Sequence, residues 1–138
     1  MSPQPTEVNE TVRSVMHTGV VTCRPDASLR SVARLLAEHR IHAVVVTGPE
    51  ESGPSAVVTD RDVVFAHARG QLDRLTARDA ASEPTITVRP DHDLRDASEA
   101  MARHGVTHIV VTNRGDATPI GILSSLDIAK AAGAKASR

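Results

Sequence analysis

The chain has 138 residues, 40% of them hydrophobic and 24% charged, the balance of one globular domain or of two very small ones. Sixteen Lys and Arg stand against 17 Asp and Glu, a net charge of −1, and the sequence holds no Trp, no Tyr and a single Phe, Phe65. Those counts exclude the basic field that grips nucleic acid or an anionic membrane and the aromatic platforms that stack single strands, while one cysteine, Cys23, excludes an intrachain disulfide and a multi-cysteine metal site.

The opening residues lack the basic-then-apolar pattern of a leader, and no apolar run approaches the roughly 18 residues of a membrane span. A cytoplasmic protein that engages neither membrane nor nucleic acid is expected. Residues 1–9 read as a loose tail. A short helix is predicted over Thr11–Met16 and a strand over Val20–Cys23. Pro25-Asp26 is turn chemistry, and Ser28 is placed to cap the helix that follows. There Leu29, Val32, Ala33, Leu36 and Ala37 recur at i, i+3, i+4, i+7 and i+8, one apolar helical face. Two strands follow, Ala43–Thr47 and Ser55–Val58, joined by the polar loop GPEESGP. Their unbroken apolar runs predict burial on both faces. A last helix opens near Thr59–Asp60, and residues 70–75 link this half to the next.

The second half repeats the first. Shifted by 65 residues without a gap, 11–66 falls on 76–131 with 16 identities in 56 positions. The predicted elements recur: helix Thr76–Ala81, strand Thr85–Val88, a helix with Leu94, Ala97, Met101 and Ala102 on one face, strands His108–Thr112 and Ile120–Leu123, and a helix from Ser124–Ser125. Asp93 takes the place of Ser28, and Gly105, a natural helix terminator, stands where the first copy has Arg40. The expected organisation is repeat one over 10–69, a linker over 70–75, repeat two over 76–132 and a tail over 133–138. The fold class is α/β (α+β): two β-α-β-β-α repeats packed as a pseudo-twofold pair, each covering the apolar face of the other.

This pattern resembles a tandem pair of CBS domains, a Bateman module. The resemblance rests on the doubled element order, on the openings VTCRPDASLRSVARLL and ITVRPDHDLRDASEAM, and on the endings AVVTDRDVV and GILSSLDIA. It departs from the family in one respect: Val45 and Val110 stand where the family usually has proline. The resemblance implies sheets packed face to face and clefts between the repeats that take an adenosine-containing ligand such as AMP, ADP, ATP or S-adenosylmethionine. It implies no catalysis and no cofactor of its own. It also implies a homodimer, and a stand-alone module that regulates a separate partner protein.

A helix start offers free N–H groups and a positive dipole end, which suits phosphate, and Thr59 and Ser124 add a hydroxyl there. The resemblance assigns the ribose hydroxyls to Asp62 and Asp127. Adenine is expected against the strand backbones at Val20–Thr22 and Thr85–Thr87, with Thr22 and Thr87 at the site and walls from Ala43, Val44, His108 and Ile109. Arg61 offers a forked phosphate contact, so the first copy is expected to bind more tightly. A second reading stands beside this one. Thr-x-x-Asp and Ser-x-x-Asp are also capping boxes that merely start helices, and Thr76-Ala77-Arg78-Asp79 has the same form with no ligand role expected.

Of the seven histidines only His104 and His108 stand at His-x-x-x-His spacing, and Gly105 between them ends the helix such a site would need, so no metal site is expected. His39 and His104 fall at helix ends. His42 and His108 begin strands and are candidates for the cleft, where they would make binding vary near pH 6–7. His17, His67 and His92 are expected to be exposed. Cys23 reads as a buried, inert thiol. Asp60 and Asp62, at i and i+2 on a helix, cannot pair for acid–base work, and no nucleophile–base set is visible. The competing function is a protein-interaction module of the same fold that binds no ligand.

Overall fold

The structure, a computed structural model, describes residues 10–48, 53–113 and 117–135. The tail expected at 1–9, residues 136–138 of the tail expected at 133–138, and the middles of the two polar loops lie outside the described residues. The elements run α1 (Val12–Val15), β1 (Thr22–Cys23), α2 (Leu29–His39), β2 (Ala43–Thr47), β3 (Pro54–Thr59), α3 (Asp60–Ala68), α4 (Ala77–Ala80), β4 (Glu83–Pro84), β5 (Thr87–Val88), α5 (Leu94–His104), β6 (His108–Thr112), β7 (Pro119–Ser124) and α6 (Ser125–Lys135). The strand before each long helix is two residues shorter than expected, and β4 is an element the sequence did not announce. Helix α6 continues to Lys135, past the expected end of the second repeat at 132.

Local chemistry sets the helix ends. Ser28 accepts from the Ser31 N–H and starts α2, whereas Asp93 occupies the matching place before α5 without a side-chain capping bond. Gly105 ends α5 in the left-handed region at φ 65°, and Arg40 ends α2 in the same conformation at φ 55°. An L side chain there carries a steric cost of roughly 1 kcal/mol that glycine avoids.

Two sheets form, one of order β1-β2-β3-β4 and one of order β5-β6-β7. In each, a short parallel pair (β1–β2, β5–β6) adjoins a longer antiparallel pair (β2–β3, β6–β7). Alternation along the strands explains the unbroken apolar runs. Val44, Val46 and Val58 face the helices of the first repeat, and Ile109, Val111 and Leu123 face those of the second. The intervening Ala43, Val45, Val57 and Val110, with Val20 and Ile122, form a third cluster where the two sheets meet. Each fully buried Val or Leu contributes about 1.5–3 kcal/mol by leaving water. Val45 and Val110 also use the N–H that proline would lack: they donate to Val21 O at 3.0 Å and Ile86 O at 2.9 Å, tying each parallel strand segment in place.

The opening helices are exchanged between the halves. Val12, Val15 and Met16 of the first repeat pack in the core of the second, while Ala77, Ala80 and Ala81 of the second pack in the core of the first. Backbone bonds fix both crossings, Val12 N to His92 O and Leu94 N to Glu10 O on one side, Ala77 N to Ala27 O and Leu29 N to Leu75 O on the other. The segment expected as a linker over 70–75 takes part: Leu72 and Leu75 pack on the first core, and Asp73 receives a two-pronged contact from Arg30. Among the described residues no helix is long and apolar enough to cross a membrane.

Candidate functional site

The Ser124–Asp127 motif lies where β7 turns into α6. Ser124 N–H donates to Asp127 Oδ2 at 2.9 Å, and Asp127 N–H donates to Ser124 Oγ at 3.1 Å. This reciprocal pair starts the helix. It leaves Asp127 Oδ1 directed elsewhere, to His17 Nε2 at 2.7 Å. Asp127 is 6% exposed as a residue, while the His17 side chain is 68% exposed. His17 was expected to be exposed and is, but it is also bound to the second repeat, since Ile122 N–H donates to His17 O and His17 N–H to Ile122 O, both at 2.9 Å.

Around this pair the two repeats leave a cleft of about 550 Å³, within the range of small-ligand sites. Its first-repeat side runs from His17 to Val21 and from Arg40 to Ala43; its second-repeat side is His108, Ile122, Ser124–Asp127 and Lys130. Val20, Val21, Ile41, Ala43 and Ile122 supply an apolar slot, and Asp127 is the one carboxylate among the described residues that line it. Seven of the residues that the sequence put forward therefore meet in one place: Val20, Val21, His42, Ala43, His108, Ser124 and Asp127.

The others lie elsewhere. Thr59 and Asp62 form the matching box at the head of α3: Thr59 N–H donates to Asp62 Oδ2 at 2.9 Å, and Asp62 N–H to Thr59 Oγ1 at 3.4 Å. Both residues are 5% exposed, and Ser82 N–H also reaches Asp62 Oδ2, at 3.4 Å. Both backbone bonds fall on Oδ2 of Asp62, which borders a smaller hollow with Phe65, Arg69 and Ser82. Arg61 does not reach the main cleft; its guanidinium stacks on Phe65, 5.0 Å from the ring centre. Val44 and Ile109 are fully buried toward their own helices, on the opposite strand face from the cleft. Thr22 and Thr87 are exposed strand residues outside the cleft lining. The third box, Thr76–Asp79, is present with both bonds, and hydrogen bonding from Thr76, its backbone N–H first, holds the Asp79 carboxyl below its usual range.

His42 and His108 both reach the cleft. His42 Nδ1 meets Asp60 Oδ2 at 2.8 Å, so Asp60 pairs with the residue just ahead of β2 rather than with its neighbour Arg61. His108 is half-buried, and loss of hydration pushes its pKa below the ordinary 6.5, against the opposing pull of Glu83, Asp60 and Asp127. Cys23, behind the first sheet, is partly buried, and desolvation pushes its thiol up to about 11. Among the described residues no cluster of His, Cys, Asp and Glu is arranged to hold a metal ion.

His17, Arg40, Ile41, Ile122 and Lys130 were not among the sequence candidates. A signal for His17 existed in the 65-residue offset. If each half covers the other, the residues ahead of the first strand must lie across the second repeat's motif. Arg40 was signalled by its alignment with Gly105, an arginine in a glycine position.

A family model described as the CBS domain matches residues 12–69 and again 77–134. An uncharacterized protein of Methanopyrus kandleri is 32% identical over 120 residues, covering 85% of this chain and 60% of its own length, so the chain spans less than two thirds of that relative. A CBS domain protein from Pyrobaculum aerophilum complexed with AMP has a TM-score of 0.75 at 32% identity, over 85% of this chain and 88% of that one. The CBS domain pair of protein MJ0100, in complex with 5′-methylthioadenosine and S-adenosyl-L-methionine, has a TM-score of 0.81 at 19% identity, over 93% and 99% of the two chains, a likeness of fold.

Proposed function

The chain belongs to the CBS domain family as a tandem pair of repeats, and from that premise we propose that the cleft at Asp127 binds an adenosine-containing ligand whose occupancy regulates a partner protein. The observation that carries this reading is one buried carboxylate facing an apolar slot between the repeats. The slot accepts a purine between Val20–Val21, Ala43 and Ile122. Asp127 Oδ1 accepts from the ribose hydroxyls, in place of or alongside His17. The N–H groups at the head of α6 and the Ser124 hydroxyl lie beside it for the rest of the ligand. The relative from Pyrobaculum aerophilum, a complex with AMP at 32% identity, supports the same ligand class.

Regulation rather than catalysis fits the site's chemistry. The cleft carries no nucleophile with a base and an orienter behind it; its one carboxylate is committed to a helix start and to His17. Exposed Val64, Phe65 and Leu126 on α3 and α6 give the module apolar surface for a second copy or for the regulated protein.

The test is thermal unfolding of the pure protein with AMP, ADP, ATP and S-adenosylmethionine, each up to millimolar concentration. A ligand that binds only the folded state at a hundredfold excess over its Kd adds about 2.7 kcal/mol, a rise of several degrees. No rise with any of the four would sink the sensor reading in favour of a ligand-free interaction module.

A further inference from the structure

Arg40 is in an unfavourable place for an arginine. It ends α2 at φ 55°, among the described residues the one non-glycine with positive φ, while the same position of the second repeat, 65 residues on, is Gly105 at φ 65°. The fold therefore accepts glycine there, and the arginine is held against a steric preference. Its location gives a reason. Arg40 lines the cleft from the first repeat, and Lys130 lines it from α6. Neither forms an ion pair with a carboxylate among the described residues. The imidazoles of His17, His42 and His108 stand in the same lining, whose single carboxylate, Asp127, is already engaged. With His17 on Asp127 and His42 on Asp60, the two unpaired permanent cations, Arg40 and Lys130, make this a cleft for a ligand that brings negative charge.

We propose that Arg40, with Lys130 opposite, makes this cleft selective for a phosphorylated adenosine over a neutral or cationic one, so that Arg40 is a specificity-determining residue. This rests on the adenosine-binding reading above and deepens it. A guanidinium recognises phosphate through paired N–H donors, whereas a sulfonium such as S-adenosylmethionine would bring its positive charge between Arg40 and Lys130.

The experiment is calorimetric titration of the whole chain with AMP, adenosine, S-adenosylmethionine and inorganic phosphate, repeated on Arg40→Gly and Lys130→Gln. The wild type is expected to bind AMP about tenfold or more tightly than adenosine or S-adenosylmethionine. Arg40→Gly should close most of that gap, leave adenosine unchanged and raise the melting temperature of the unliganded protein. A merely structural Arg40 would not combine those effects. AMP and adenosine binding equally to the wild type, or an AMP preference undiminished in both variants, would overturn the proposal while leaving the adenosine site standing. Inorganic phosphate binding as tightly as AMP would overturn the nucleoside part of the selectivity. If AMP, adenosine and S-adenosylmethionine all fail to bind, it is the underlying adenosine-binding reading that falls.

Discussion

Substituting Asp127 separates its two roles, because asparagine and alanine remove different things. The carboxylate makes two contacts through different oxygens: Oδ2 accepts from Ser124 N–H at 2.9 Å, and Oδ1 meets His17 Nε2 at 2.7 Å. Asp127→Asn keeps an oxygen for the Ser124 N–H, so the helix start survives. What it loses is the charged contact to a ring that is 68% exposed, a loss of about 0.5–1 kcal/mol after solvent screening. For a chain of this size that lowers the melting temperature by about 2–4 °C. Asp127→Ala also removes the cap and leaves a partly buried N–H without its acceptor, for a total of about 2–3 kcal/mol and a fall of roughly 6–12 °C. For the ligand the ranking changes. Both variants lack the charged acceptor for the ribose hydroxyls, and both should bind the adenosine ligand about tenfold to a hundredfold more weakly. Thermal unfolding and calorimetric titration on the same three preparations read both effects. Wild-type affinity in Asp127→Asn would refute the ribose-anchor role. Equal melting of the Asn and Ala variants would refute the capping geometry.

Three further outcomes follow from individual contacts. A Cβ on Gly121 would lie 2.7 Å from Met16 Sδ and 2.9 Å from the backbone oxygen of His17, and that carbonyl cannot swing away as the thioether can; Gly121→Ala should therefore cost about 1–3 kcal/mol by overpacking, and an unchanged melting temperature would refute the close approach. Burial lowers the His108 pKa below its ordinary 6.5, so the unfolded chain takes up its proton first as the solution is acidified. The resulting stability is complete above pH 6.5 and is lost as the pH falls through the folded value; unfolding curves between pH 7.5 and 5.5 should show a shallower acid loss in His108→Gln, and parallel curves would contradict this. With its thiol raised to about 11, Cys23 should react slowly with a maleimide at pH 7.5 in the folded protein and rapidly in guanidinium, whereas labelling at the free-thiol rate without denaturant would show it to be accessible.

Sequence alone determined what depends on neighbours a few residues apart. The period of Leu29, Val32 and Leu36 makes an apolar helix face whatever lies beyond it, and these three are buried. The capping boxes at Thr59, Thr76 and Ser124 close within four residues, so their bonds form as the spacing requires. The 65-residue offset carried the doubled architecture, and the apolar runs of β2 and β6 carried their two-sided burial. What the pattern could not contain was the partner of each face. The exchange of α1 and α4 between the halves depends on contacts across most of the chain, such as Val12 N–H to His92 O. The fates of the two boxes also diverged on remote residues. Arg61 drew attention to the first copy, but the Ser82 backbone reaches over Asp62, and Arg61 turns onto Phe65. At the matching place in the other half His17, not a backbone N–H, approaches Asp127, and the cleft stays open between two sheets. Local hydrogen bonding and periodicity are written along the chain. Which carboxylate meets a backbone N–H and which meets a histidine beside the larger cleft is set by packing between residues 20 apart for Asp62 and 110 apart for Asp127, and only the tertiary structure decides it.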